Sequence, residues 1–222
     1  MMTNFKQIFD FLSKLQVHND RNWFNEHKDE YIAAHREFAG FVNALIVPLS
    51  QLDESIGTVS AEECIFRIYR DVRFSHDKSP YKTNFGAFIA KGGKKAERAG
   101  YYVHIQPDES MLSGGIYMPA PETLESVRNE IYHHPQEIRK ILENKSFKKY
   151  FGTLSEEDKL KNPPKGYPKD FEEIDLLKNK HFVTGYPVPN DFFMQDHLIG
   201  RIMEVFKAQY PLNAFINRAL DK

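Results

Sequence analysis

Cysteine is all but missing from this chain. Cys64 is the single cysteine in 222 residues, so an intrachain disulfide is impossible and no CxxC metal or redox motif can occur. Its apolar flanks, Ile65 and Phe66, predict a small buried side chain rather than a reactive thiol. Long apolar runs are missing too: nothing approaches the roughly 20 residues that span a bilayer. The opening MMTNFKQIFDF lacks the basic-then-apolar layout of a secretory signal, so the expectation is a cytoplasmic protein without a membrane partner. Also missing are a Gly-rich phosphate loop between strand and helix, an HExxH pair and a GxSxG elbow. His27 and His35 stand eight residues apart, more than two helical turns, and so do not make the i, i+4 pair of a helical metal site. Repeats, low-complexity tracts and clear boundaries are absent, which predicts one domain over residues 1–222.

What the chain does have is core-forming material, with 41% hydrophobic residues including 18 Phe and 11 Tyr, enough for one substantial core. Its formal net charge of -1 argues against a protein devoted to coating DNA, but the charge is uneven. Between Arg67 and Arg98 nine basic residues face three acidic ones, a local +6 that leaves -7 for the remainder. Such a surface attracts phosphates, carboxylates or nucleic-acid backbone. The Lys91 to Arg98 part, with GGKK at its centre, reads as a solvated hairpin tip.

Helical spacing dominates the first part. Phe5, Ile8, Phe9, Leu12 and Leu15 form one apolar stripe. Asp20 is a candidate N-cap for a longer helix carrying Phe24, Tyr31, Phe38, Phe41, Leu45 and Leu49, with Pro48 marking its end. The period then changes. Residues 63–71, 84–90, 101–106 and 111–118 read as strands of an antiparallel meander. In the first, alternation places Arg67, Tyr69 and Asp71 on one face. In the third, Tyr102, His104 and Gln106 form a second polar row, and an appropriate register would bring the rows together. Pro121 and Glu122 suit a helix start, and Leu124, Val127 and Ile131 supply its stripe as far as Pro135. Arg128 rides on that apolar face, either snorkelling to solvent or reaching an acidic or anionic partner. Residues 155–190 read as an ordered, proline-rich excursion without regular structure. A C-terminal helix follows, kinked or divided at Pro211. The fold class is therefore α+β, a central antiparallel sheet flanked by N- and C-terminal helices.

The densest chemistry lies in RIYRDVRFSHDKSPYKTNFG, residues 67–86. So many charges at close spacing must each find a partner or face solvent. Three uses are open. Arg67, Arg70, Arg73, Lys78 and Lys82, together with Arg128, could grip an anion through charge-assisted hydrogen bonds. Asp71, Asp77 and His104 are the candidate catalytic groups if the site hydrolyses its ligand. Asp71 and Asp77 could instead share a divalent cation, although the surrounding cations weaken that attraction and no metal is otherwise indicated. A purely structural alternative pairs the arginines with the aspartates, lets Asp77 cap a turn, and buries Phe74 and Tyr81 to pin the loop. Ser113, ahead of Gly114 and Gly115, reads as turn chemistry, and the two glycines allow another backbone or a ligand close to the sheet. His133 and His134 read as surface residues.

The run RDVRFSHDKSPYKTNFG, the later SGGIYMP, DRNWF near Asp20 and the helix carrying Arg128 together resemble a widespread family of bacterial and fungal hypothetical proteins, a domain of unknown function. The similarity spans most of the chain. It implies that Arg70, Asp71, Arg73, Phe74, Ser75, Asp77, Lys78, Pro80, Tyr81, Lys82, Thr83 and Asn84 belong to the family pattern. It carries over no catalytic role and no cofactor. The functional expectation is a phosphate-bearing ligand or nucleic acid bound at the basic loop, with hydrolysis open. The alternative is a non-catalytic scaffold that engages an acidic protein surface.

Overall fold

Alternating apolar and polar side chains build the centre of the molecule. In the computed structural model, which describes residues 3–221, β1 (Phe85–Ile89), β2 (Gly100–Ile105), β3 (Met111–Ile116) and β4 (Phe182–Pro187) pair in that order, all antiparallel. Met1, Met2 and Lys222, the ends of the 1–222 span, lie outside the described residues. Phe85, Ala87, Ile89, Tyr101, Val103, Ile105 and Leu112 are buried on one face, as the period of two requires. Gly86, Phe88, Tyr102, His104, Met111 and Ser113 lie on the other, in register with one another.

The buried face packs on helices. The order is α1 (Phe5–Val17), α2 (Arg21–Glu26), α3 (Lys28–Leu52) and the short α4 (Ala61–Cys64) before the sheet. Between β3 and β4 come α5 (Pro121–His133), α6 (Pro135–Glu143), α7 (Lys145–Phe151) and α8 (Ile174–Leu177). The last is α9 (Leu198–Leu220). One apolar cluster joins α1, α3, α9 and the sheet; a second joins α5, α6, α7 and α9 to Ile116 and Phe182. Thus the chain is α+β, with an antiparallel sheet and helices at both ends. No helix among the described residues is long and apolar enough to cross a membrane.

Two helices run through their prolines. Pro48 lies inside α3 and Pro211 inside α9, because buried Leu45, Ile46 and Leu49 in the first, and Ala208, Leu212 and Phe215 in the second, hold both sides of the break. Packing outweighs the roughly 3 kcal/mol interior cost of proline. Pro135, by contrast, restarts the chain as α6.

The expected strand over 63–71 does not form. Ser60 and Glu63 make a reciprocal capping box that nucleates α4, so Glu63 and Cys64 are helical. Beyond it only isolated bridges, Ile65 with Ala87 and Tyr69 with Tyr81, tie the segment to its neighbours. Ile65 and Ile68 are both buried, a step of three that breaks strand alternation. Cys64 is fully enclosed, and burial pushes its thiol up to about 11. The region read as irregular contains β4, which pairs with β3 across the α5–α8 connection.

The glycines of SGGIYMP admit neighbours from this same chain. A Cβ on Gly114 would meet the Gln209 side chain at 2.5 Å, and Gly115, at φ +110°, has the Phe182 carbonyl 1.9 Å from where a Cβ would sit. Both therefore let α9 and β4 close on β3.

Candidate functional site

Two distant stretches of sequence meet at Tyr81. The Asn19 amide clasps its backbone from both sides, Nδ2 donating to the carbonyl at 2.9 Å and Oδ1 accepting from the N–H at 3.1 Å. Asp20 caps α2 through the Asn22 and Trp23 amides. That sets Phe24 flat against the Tyr81 ring, with centroids 3.9 Å apart, a contact worth on the order of 1 kcal/mol beyond burial. DRNWF and SPYK are thus parts of one construction.

From Tyr81 backward, residues 71–79 form a loop braced from within. Arg70 is its hub: the guanidinium pairs with Asp77, donates to the Ser79 carbonyl at 3.2 Å and reaches Ser75 Oγ at 3.4 Å. Asp77 also caps a turn, accepting from Ser79 N at 2.9 Å and Ser79 Oγ at 2.6 Å. The Ser79 bonds first, and then Arg70, hold its carboxyl down to about 2. Asp71 takes two bonds from Arg73, at 2.9 and 2.6 Å, and this pairing likewise holds it down to about 2. Lys78 donates to the Val72 carbonyl at 3.0 Å. With each carboxylate engaged by its own arginine, Asp71 and Asp77 do not form the shared cation site that was one expectation. Tyr81 is buried as expected, but Phe74 is 95% exposed; the ion pairs pin the loop instead of its ring.

Two cations remain outside these pairs. Arg67 is exposed, Lys82 is half-buried, and among the described residues neither has a carboxylate within ion-pair distance. Lys82 Nζ lies 5.4 Å from the centroid of the Phe66 ring. Burial, and then the neighbouring Arg67 charge, push its pKa down. An ammonium so placed gains from any anion that approaches.

Phe66 leads onto the open face of the sheet, its ring centroid 6.2 Å from that of Tyr102. There the second polar row appears as a hydrogen-bonded chain. The Tyr102 hydroxyl and Asn84 Nδ2 lie 3.0 and 3.3 Å from His104 Nδ1, and His104 Nε2 lies 3.0 Å from Gln106 Oε1. Two donors at Nδ1 and an acceptor at Nε2 assign the neutral Nε2–H tautomer. Burial pushes the imidazole pKa down, against the opposing pull of Gln106 and Glu109. It also raises the Tyr102 phenol to about 12. Gly86 makes the geometry possible, since a Cβ there would meet the Tyr102 hydroxyl at 2.6 Å.

The two rows do not converge as strand faces. Arg67, Tyr69 and Asp71 sit on an irregular segment, and the link to His104 runs through Lys82, Phe66 and Asn84. Asn19, Asn84 and Phe66 carry no charge and so escape a search for charged clusters, although a glycine inside a strand, Gly86, is a sequence sign of close approach. Arg128 stands apart. It is buried at 8% exposure, donates to the Asn179 carbonyl at 3.2 Å and has the Glu125 carboxylate as a charged neighbour, so it does not snorkel to solvent. Tyr117 and His181, their rings tilted with centroids 4.7 Å apart, lie at the Ile116 end of β3. His104 pairs with Met111 at the other end, five residues or roughly 17 Å away along the strand.

A groove of about 810 Å³ between α6, α7 and α9 contains none of these residues. Its Arg218 and Glu137 are paired to each other at 2.7 Å, and an open sheet surface with unpaired cations is chemically better suited to an anion.

A family model described as conserved hypothetical protein (DUF2461) matches residues 7–215. No curated protein and no solved structure matched the chain.

Proposed function

We propose that this protein, which belongs to the DUF2461 family of conserved hypothetical proteins, binds a phosphate-bearing anion between Arg67 and Lys82, at the edge of the polar face formed by Asn84, Tyr102, His104 and Gln106. The observation that carries this reading is the half-buried Lys82 ammonium, which among the described residues has Arg67 and no carboxylate as its charged neighbour. A phosphate would relieve the repulsion and accept charge-assisted hydrogen bonds from both.

Arg70 is a brace in this scheme, since it already serves Asp77, Ser75 and Ser79. Arg73 is exposed and its pair with Asp71 is a surface one, cheap to open at about 0–1 kcal/mol, so it can swing to a ligand. Lys78 is tied to Val72 and sits at the periphery.

Binding is better supported than hydrolysis. A general base needs an unengaged lone pair. His104 Nδ1 already faces two donors, while Asp71 and Asp77 hold arginines. The role left to His104 is to orient Tyr102 and Asn84. A scaffold that docks an acidic protein surface would use the same cations but would not need the part-buried polar row.

Calorimetric titration of the native protein with inorganic pyrophosphate and nucleotides tests the proposal. Lys82→Ala is expected to weaken binding by about tenfold or more, as befits loss of a charged hydrogen bond of roughly 1.5–3 kcal/mol. Equal affinities for native protein and variant would refute it.

A further inference from the structure

Phe74 stands almost wholly in water, at 95% exposure, on a loop that is anything but slack. Arg70 with Asp77, Arg73 with Asp71, Lys78 with the Val72 carbonyl and Ser79 with Asp77 fix the backbone on both sides of it. A free loop would fold the ring onto a neighbour and recover the roughly 2–3 kcal/mol that burial of a Phe returns. This loop holds it out.

The ring also ends a row. Lys82 lies beside the Phe66 ring at 5.4 Å, Arg67 is the charged neighbour of Lys82 and of Asp71, Asp71 holds Arg73, and the Arg73 guanidinium lies 5.8 Å from the Phe74 ring. Aromatic, cation, cation, anion, cation, aromatic is the order of these contacts, with the one anion, Asp71, taken up by Arg73. A small phosphate compound would use only Arg67 and Lys82. The outlying Arg73 and Phe74 suit a ligand that repeats its charge and offers ring faces as well.

From this we infer that the site takes single-stranded nucleic acid, its phosphates tracking Lys82, Arg67 and Arg73 while an unpaired base stacks on Phe74. The inference rests on the anion site proposed above. Duplex is disfavoured because its bases are already stacked inward. An acidic peptide lacks ring faces. A membrane is a poorer match: Arg73, Ser75, His76, Asp77 and Lys78 surround Phe74, and inserting the ring would drag Asp77 and its ion pair towards lipid.

Fluorescence anisotropy with a labelled short single-stranded oligothymidylate tests this, alongside pyrophosphate titration and sedimentation with phosphatidylserine vesicles. Phe74→Ala should weaken oligonucleotide binding about tenfold, the effect of one stacked base, and leave pyrophosphate affinity unchanged. Phe74→Tyr should restore the oligonucleotide. Three phosphate contacts predict a slope of log affinity against log salt of about -2. If pyrophosphate binds through Lys82 while the oligonucleotide does not bind, or binds equally to Phe74→Ala, the inference fails and the anion site stands. Vesicle binding that depends on Phe74, without oligonucleotide binding, also overturns it. Failure of pyrophosphate itself removes both.

Discussion

His104 shows how one residue's surroundings set its chemistry. Burial, the largest influence, holds the imidazole neutral, and the chain from Tyr102 through His104 to Gln106 fixes its tautomer. The sign of the resulting pH dependence follows from linkage. The unfolded chain takes up a proton near pH 6.5, whereas the folded imidazole resists until a lower pH. The stabilising contribution is therefore fully present above about pH 6.5 and declines as pH falls towards the folded value. Urea unfolding between about pH 7.5 and 5.5 should show a steeper loss of stability for the native protein than for His104→Gln. Parallel profiles would mean that the imidazole is not held neutral by the fold. Which arginine pairs with which aspartate in the loop is also decided at this scale. The spacing RDVRFSHD allows several pairings, and only the folded turn at Ser79 selects Arg70 for Asp77 and Arg73 for Asp71.

Among the elements, α9 is where polar side chains carry the packing. Gln209, Asn213 and Asn217 recur every four residues on a buried face. Asn217 accepts from the Ala99 N–H at 2.9 Å and donates to its carbonyl at 3.1 Å, Asn213 donates to the Gly100 carbonyl at 2.9 Å, and Gln209 accepts from Thr184 at 2.6 Å. This row fastens the helix to the start of β2 and to β4. Asn217→Ala would strand two buried backbone groups, and we expect a loss of about 2–5 kcal/mol in denaturant unfolding. A loss under about 0.5 kcal/mol, the size of a surface substitution, would contradict that role. Pro48 makes the opposite prediction. Alanine at that position restores a helical N–H, so Pro48→Ala should stabilise by about 1–3 kcal/mol, and an unchanged or lower Tm would show that α3 depends on the proline.

These elements also show what the sequence made legible. β1, β2 and β3 announce themselves because one face is buried and one is open, and α1 because its stripe is strict. β4 does not, since HFVTGYP is six or seven residues inside a proline-rich stretch and its partner β3 lies far upstream. The failed strand at 63–71 was signalled by SAEE, a capping-box pattern that outweighs the apolar run after it. The polar stripe of α9 reads as exposed surface until the sheet edge it serves is in place.

At the scale of the molecule, the sheet divides the labour. One face, with α1, α3 and α9, supplies the core, while the other carries the part-buried Tyr102 and His104, with small residues such as Gly86 making room. The loop at residues 71–79 is flanked by Tyr69 and Tyr81, both of which meet Phe24 of α2. The stretch 67–86 stands out in the sequence as a cluster of charge; the division of that charge does not. Arg70, Asp71 and Asp77 serve as braces, and Arg67 and Lys82 have no ion-pair partner among the described residues, because pairing depends on backbone turns that composition does not encode. The most direct test of this division is anomalous diffraction from crystals soaked in selenate, a phosphate-sized oxyanion. A selenium peak is expected with oxygens about 3 Å from Lys82 Nζ and the Arg67 guanidinium, with Arg70 still on Asp77. Selenate bound to Arg70 in place of Asp77, or ordered elsewhere with none between Arg67 and Lys82, would contradict it.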